Sequence, residues 1–289
     1  MDEVILPQIK YEQIALSSDP AAQALEAVHS VAYHRGLGNS LLPSSASPMK
    51  KDIEASSLAA FGKGAYNKPS ISVVASGADS TAEVSKWVGQ FFTDIPATAG
   101  TGPFAPLPAQ PTQYFGGEER VDSLAGNAMV IAFPGSSAFG TVGYKPAFSV
   151  LASLLGGESS VKWSPGSSLL SQATQNVPGV HISTKEASYS DAGLLYITVS
   201  GKNAASVSQA SKNVAETLKK VAAGQVTSED IKKAIAQAKF RALEAGQSLS
   251  AGVEATGSAL IHGTKPFQIA QVGQSIEKVT EQQVKEVCS

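Results

Sequence analysis

The chain has 289 residues, 43% hydrophobic and 16% charged, with a formal net charge of −2. That composition can fill one large core or two medium ones and excludes wholesale disorder. Scattered lysines and arginines leave no electrostatic footprint for nucleic acid or an anionic membrane. The single cysteine, Cys288, excludes an intrachain disulfide and a cysteine-built zinc site. No apolar run approaches the roughly 20 residues of a spanning helix.

Met1-Asp2-Glu3-Val4 resembles neither a signal peptide nor an Arg-rich transit peptide and enters a helical pattern at once. The chain is therefore expected to be a piece of a longer protein. Residues 2–16 read as a helix interrupted near Pro7. Ser18-Asp19-Pro20 supplies an acidic cap and a proline for a helix over residues 21–34, with Leu25, Val28 and Ala32 on one side. A helix over 49–61, a strand over 70–76 and a helix over 78–92 follow, the last with Val84, Val88, Phe91 and Phe92 inward. Residues 96–111 carry five prolines and no periodicity, and read as an interdomain linker.

Beyond the linker, residues 117–121 and 127–133 read as strands and 143–155 as a helix ended by Gly156-Gly157. A glycine- and serine-rich loop over 158–168 leads to a short helix over 167–175. Residues 180–186 and 194–200 form a predicted hairpin, with Leu195, Ile197 and Val199 on one face of the second strand and Leu194, Tyr196 and Thr198 on the other. Val207, Ala210, Val214, Leu218 and Val221 then fall on one helical stripe. Thr227-Ser228-Glu229-Asp230 opens the next helix as a capping box, and the apolar face of that helix is Ile231, Ala234, Ile235, Ala238 and Ala242. Further helices are expected over 249–261, with Leu249, Val253 and Leu260 aligned, and over 266–273. Thr280-x-x-Gln283 is a capping box, with Val279 and Val284 spaced as a hydrophobic staple. A coarse repeat of helix, strand and helix in the first half against the capped helix at Thr280 in the second leaves both ends looking cut.

Little of this is chemical. His29 and His34 are five residues apart and fall off a common helical face; His181 and His262 have no ligand neighbour in sequence. Gly156-Gly157-Glu158-Ser159-Ser160 lacks the Gly-Lys-Ser/Thr ending of a phosphate loop and follows a helix, so it reads as a helix end. No Gly-x-Ser-x-Gly occurs. Tyr189-Ser190-Asp191 lies where turn residues are expected anyway, and Glu118-Glu119 reads as a solvated charge pair. No catalytic, cofactor-binding or metal residue is assigned, and no cofactor is expected.

Gly116-Gly117-Glu118-Glu119-Arg120, the helix running into Gly156-Gly157, Ser188-Tyr189-Ser190-Asp191-Ala192-Gly193, and Val28-His29-Ser30-Val31-Ala32-Tyr33 together resemble the pitrilysin / mitochondrial processing peptidase family. The resemblance runs along nearly the whole chain. It implies an α+β fold of two homologous domains, each a mixed sheet packed on helices. Residues 1–95 would be the C-terminal part of the first domain, 96–115 the linker, and 116–289 a second domain lacking its last strand.

Active members bind zinc through an inverted His-x-x-Glu-His and a distal glutamate. The resemblance places the first motif upstream of Met1. It places the distal position on Leu6-Pro7-Gln8, which offers no carboxylate; Glu12 is the nearest. Ser160-Val161-Lys162 departs from the Arg-Leu pair of active relatives. The implied role is a non-catalytic structural subunit of the mitochondrial ubiquinol–cytochrome c reductase (complex III). It would lie on the matrix side of the inner membrane and pack against a paralogous core subunit and other complex III subunits, reaching the membrane only through them. The alternative is a subunit of a zinc-dependent processing peptidase that recognises or cleaves presequences.

Overall fold

The fold, obtained as a computed structural model, describes residues 4–41, 54–98, 110–157, 166–262 and 269–288. Its centre is a three-stranded antiparallel sheet of β1 (Asn127–Pro134), β2 (Val180–Ser188) and β3 (Gly193–Gly201), in the order β1-β3-β2. The predicted hairpin forms, with Ile182 opposite Val199 and Thr184 opposite Ile197. β1 joins the other side of β3, setting Ile131 opposite Ile197 and Ala132 opposite Tyr196.

The two faces of β3 go to different cores, as its alternation requires. Leu195, Ile197 and Val199 enter the main core. There they meet α5 (Ala147–Leu155) and the stripe of α7 (Ala204–Ala222), where Val207, Ala210, Val214 and Val221 are buried. α5 is enclosed on every side, with all its residues but Ser149 buried, because α8 (Ser228–Ala245) and α11 (Glu281–Cys288) cover the side away from the sheet. The short α6 (Leu169–Thr174) lies against α7, and α10 (Ile269–Glu277) against α8, where Lys239 and Glu277 pair at 2.8 Å. Leu194 and Tyr196 face the other way, into a smaller core with Val28, Ala32 and Tyr33 of α2 (Pro20–Tyr33).

The caps at Asp19 and Thr280 form as spelled. Asp19 Oδ1 accepts from the N–H groups of Ala21 and Ala22 at 2.9 and 3.2 Å. At Thr227 half of the expected capping box forms: Thr227 Oγ1 accepts from the Asp230 N–H at 3.1 Å, and its hydroxyl donates to the Asp230 carboxylate, which in a full box would reach the Thr227 N–H. Thr280 and Gln283 exchange both bonds of a capping box at 3.3 and 2.9 Å, with Val279 and Val284 buried beside it.

Elsewhere the structure corrects the expectation. Pro7 does not interrupt α1 (Ile5–Ser17): it lies in the first turn, where a missing N–H removes no helical hydrogen bond. Ser70 ends a short 3₁₀ helix (Lys68–Ser70), and residues 71–76 join no described sheet; a period-2 pattern gives a strand only where a neighbour supplies the ladder. Residues 117–121 are also irregular, since Gly116 and Gly117 take φ of +73° and +151° and turn the chain away.

α3 (Ala55–Ala65) opens after Glu54, which is extended, while residues 49–53 of the expected helix lie outside the described residues; α10 is described from Ile269, and 266–268 likewise lie outside them. The helix expected from Gly143 begins only at Ala147, after Pro146. α4 (Thr81–Phe91) buries none of its residues: Val84 and Val88 are half-buried, and Phe91 is 79% exposed. In α9 (Leu249–His262) Leu249 and Leu260 are exposed, and Ala259 is the buried residue. Most of the proline-rich segment, residues 99–109, lies outside the described residues.

Candidate functional site

The densest polar and aromatic meeting point lies where α2 crosses the sheet beside the turn between β2 and β3. His29 leaves α2 one turn before Tyr33. Its Nδ1 lies 2.8 Å from the Leu25 carbonyl and its Nε2 2.6 Å from the Tyr189 hydroxyl. A carbonyl can only accept, so Nδ1 carries a hydrogen, and in the tautomer with that hydrogen alone Nε2 accepts the hydrogen bond of the Tyr189 hydroxyl. Tyr33 crosses to the start of β3 and donates its hydroxyl to the Gly193 carbonyl at 3.0 Å. Tyr33, Tyr114 and Tyr189 meet edge to face, with ring centroids 6.2 and 6.3 Å from that of Tyr33.

The chain after the proline-rich segment is fastened to the same place. Asp191 accepts from the Thr112 N–H and hydroxyl at 2.8 and 3.0 Å. Tyr114 donates to the Ala132 carbonyl at 3.3 Å, and the Phe115 N–H donates to the Ala32 carbonyl at 2.8 Å. Gly193 lets the loop after β1 pass: a Cβ there would overlap the Ser136 backbone, while the Gly135 N–H donates to the Gly193 carbonyl at 2.7 Å.

These groups are arranged to hold and not to react. Burial, with Tyr189, Tyr114 and Asp191 nearby, pushes Tyr33 up to about 12. Burial also raises Tyr114 and Tyr189. A phenol shifted upward keeps its proton, which is the opposite of what an activated tyrosine needs. Each donor named already has an acceptor inside the fold.

The other sequence candidates are scattered. His34 ends α2 with φ +58°, its ring 4.5 Å from that of Phe115. His181 is exposed on β2. The His262 side chain and residues 158–165 lie outside the described residues; Gly156 closes α5 with φ +64°, as read from sequence. Gln8 and Glu12 bond to each other at 3.1 Å on the exposed side of α1. Glu118 pairs with Arg120 at 2.6 Å, exposed. Among the described residues no three His, Cys, Asp or Glu side chains gather as a metal site, and no helix is long and apolar enough to cross a membrane. Sequence reasoning took Tyr189-Ser190-Asp191 for turn residues and missed that they anchor Tyr33, His29 and Thr112; a buried tyrosine's need for an acceptor was the available signal.

Residues 52–238 match the family described as the peptidase M16 inactive domain. The chain is 46% identical over 263 residues to the cytochrome b-c1 complex subunit 2, mitochondrial, of Neurospora crassa, covering 91% of this chain and 56% of that protein. It is 35% identical over 272 residues to the protein of the same name from Cryptococcus neoformans, covering 92% and 59%. Both relatives are mitochondrial by name, and the chain spans somewhat over half of their length. In three dimensions it is similar to a chain of complex III2 from Candida albicans with Inz-5 bound, at a TM-score of 0.73 and 17% identity over 98% of this chain and 66% of that one. That likeness shows a shared α+β fold. With well over half of its residues matched, the chain belongs to the M16 peptidase family and carries that family's inactive domain.

Proposed function

We propose that the chain is part of a non-catalytic core subunit of mitochondrial ubiquinol–cytochrome c reductase, corresponding to core protein 2 of complex III. It serves assembly and stability of the complex from the matrix side of the inner membrane, packed against a paralogous core subunit and other subunits. The observation that carries this reading is the 46% identity, along 91% of the chain, to the Neurospora crassa subunit. The site supports it too, since the polar groups at the α2–sheet junction are spent on one another. We also propose that residues 1–95 belong to a first peptidase-like domain and 116–289 to a second, joined by the 96–115 segment.

The test is native electrophoresis of mitochondrial membranes with and without the full-length protein, together with zinc analysis of the purified protein. The reading expects the protein in complex III, loss of assembled complex without it, and no presequence cleavage. Stoichiometric zinc with cleavage of a presequence peptide would overturn it.

A further inference from the structure

Where β2 meets α5, a polar seam runs through the main core. Ile182 of β2 points into that core, so Thr184 and Glu186, two and four residues on, point the same way. α5 runs along them in the opposite direction. Its Ser149 hydroxyl donates to Glu186 Oε2 at 2.9 Å, and a Cβ on Gly157, just past its end, would overlap the Ile182 carbonyl. Ser153 lies one turn from Ser149 on the same face of α5 and is 4% exposed. Two oxygens of this seam, Thr184 Oγ1 and Glu186 Oε1, are enclosed and lack a hydrogen-bond partner among the described residues. Thr184 as a whole is only 8% exposed.

An enclosed hydroxyl or carboxyl oxygen without a partner is costly, and native folds keep few of them. Here two occur side by side on one strand face. Positions two apart on a strand are roughly 7 Å apart along it, a span that one small molecule bonded at about 2.8 Å on each side can bridge. That molecule has to donate and accept. The threonine hydroxyl does either, whereas the carboxyl oxygen accepts when ionised and donates when it carries the proton. It also has to be small, because Val150, Ile182 and Ile197 are buried around the seam.

We propose that an internal water molecule bridges Thr184 Oγ1 and Glu186 Oε1. With the Ser149 hydroxyl it gives both carboxyl oxygens a partner, in either protonation state of Glu186. The seam between β2 and α5 is thereby a hydrated joint within the main core. The proposal goes beyond the assignment to complex III and does not depend on it.

The test is a crystal structure of the full chain, together with urea denaturation and a crystal structure of Thr184→Val. In the parent, a water peak is expected within about 2.6–3.2 Å of both oxygens. Valine is close to threonine in shape and favours a strand. Without a bridging water, the change only sheds an unpaired hydroxyl, and the urea midpoint stays or rises. With the water, the change removes one of its anchors and leaves Glu186 Oε1 unpaired, so the midpoint falls and the peak disappears. Density showing Thr184 bonded directly to Glu186, a side chain from elsewhere in the protein touching both oxygens, or no peak between them would overturn the proposal. So would a Thr184→Val midpoint at or above that of the parent.

Discussion

Glu186 is the residue most out of keeping with its surroundings. It lies on β2 with its carboxylate enclosed; Oε2 accepts from the Ser149 hydroxyl at 2.9 Å, and Oε1 has no partner among the described residues. Burial raises its pKa, opposed by Ser149 and the Ser136 amide. The fold thus favours the protonated form. That contribution to stability is fully present below the ordinary carboxyl range and is lost as pH rises through the raised value. Glu186→Gln keeps a neutral side chain at every pH. Urea denaturation should find the variant more stable than the parent at about pH 8, with the gain shrinking toward about pH 4; a gain independent of pH would rule the account out. Tyr33→Phe should cost about 0.5–1.5 kcal/mol by the same measurement, because the Gly193 carbonyl loses one of its two donors and keeps the Gly135 N–H. Gly193→Ala should cost about 1–3 kcal/mol, since the added methyl has to displace the Ser136 backbone.

At the scale of elements, β3 carries the most weight, being central in the sheet, fully buried on the face of Leu195, Ile197 and Val199 and half-buried at Tyr196 and Thr198 on the other. Ile197 is fully enclosed among α5, α7 and the neighbouring strands, so Ile197→Ala should cost about 2–5 kcal/mol in thermal or denaturant unfolding. The helix caps are worth less. Asn203 opens α7 by accepting from the Ala205 N–H at 2.8 Å, and Asn203→Ala should lose about 1 kcal/mol. α3 and α4 stand at the other extreme. Leu58, Phe61, Trp87 and Phe91 are all about half exposed or more, and neither helix packs broadly on another described element. Little burial opposes their opening. Hydrogen exchange should therefore be faster in both than in α7 and α8, and equal protection would refute this.

For the whole molecule, α2 is the tie between the part before the proline-rich segment and the part after it. It packs on β1 and β3, while Thr112 and Phe115 are bonded to Asp191 and Ala32. Trypsin has no target in residues 96–115, which contain neither lysine nor arginine. Elastase or chymotrypsin should cut there if that segment is the linker proposed above. The two pieces should still elute together in gel filtration, held by the α2–sheet junction. Separation at neutral pH without denaturant would show that the junction is weaker than its contacts imply.

The sequence alone determined what depends on neighbours a few residues away. It set the stripes of α7 and α8, the two faces of β3, the hairpin, and the caps at Asp19, Thr227 and Thr280, because helical and pleated periods and cap bonds are local. Only the tertiary structure decided which faces met. Residues 70–76 have a strand pattern without a strand, α4 has an inward stripe that no described element buries fully, and among the described residues Leu249 and Leu260 align on an exposed face. The candidate site belongs to the same class. Tyr33 and Gly193, and His29 and Tyr189, are each 160 residues apart, and no local period encodes a contact over that distance. Such a contact is set by which buried donor finds an acceptor once the layers close, and that is a property of the folded chain.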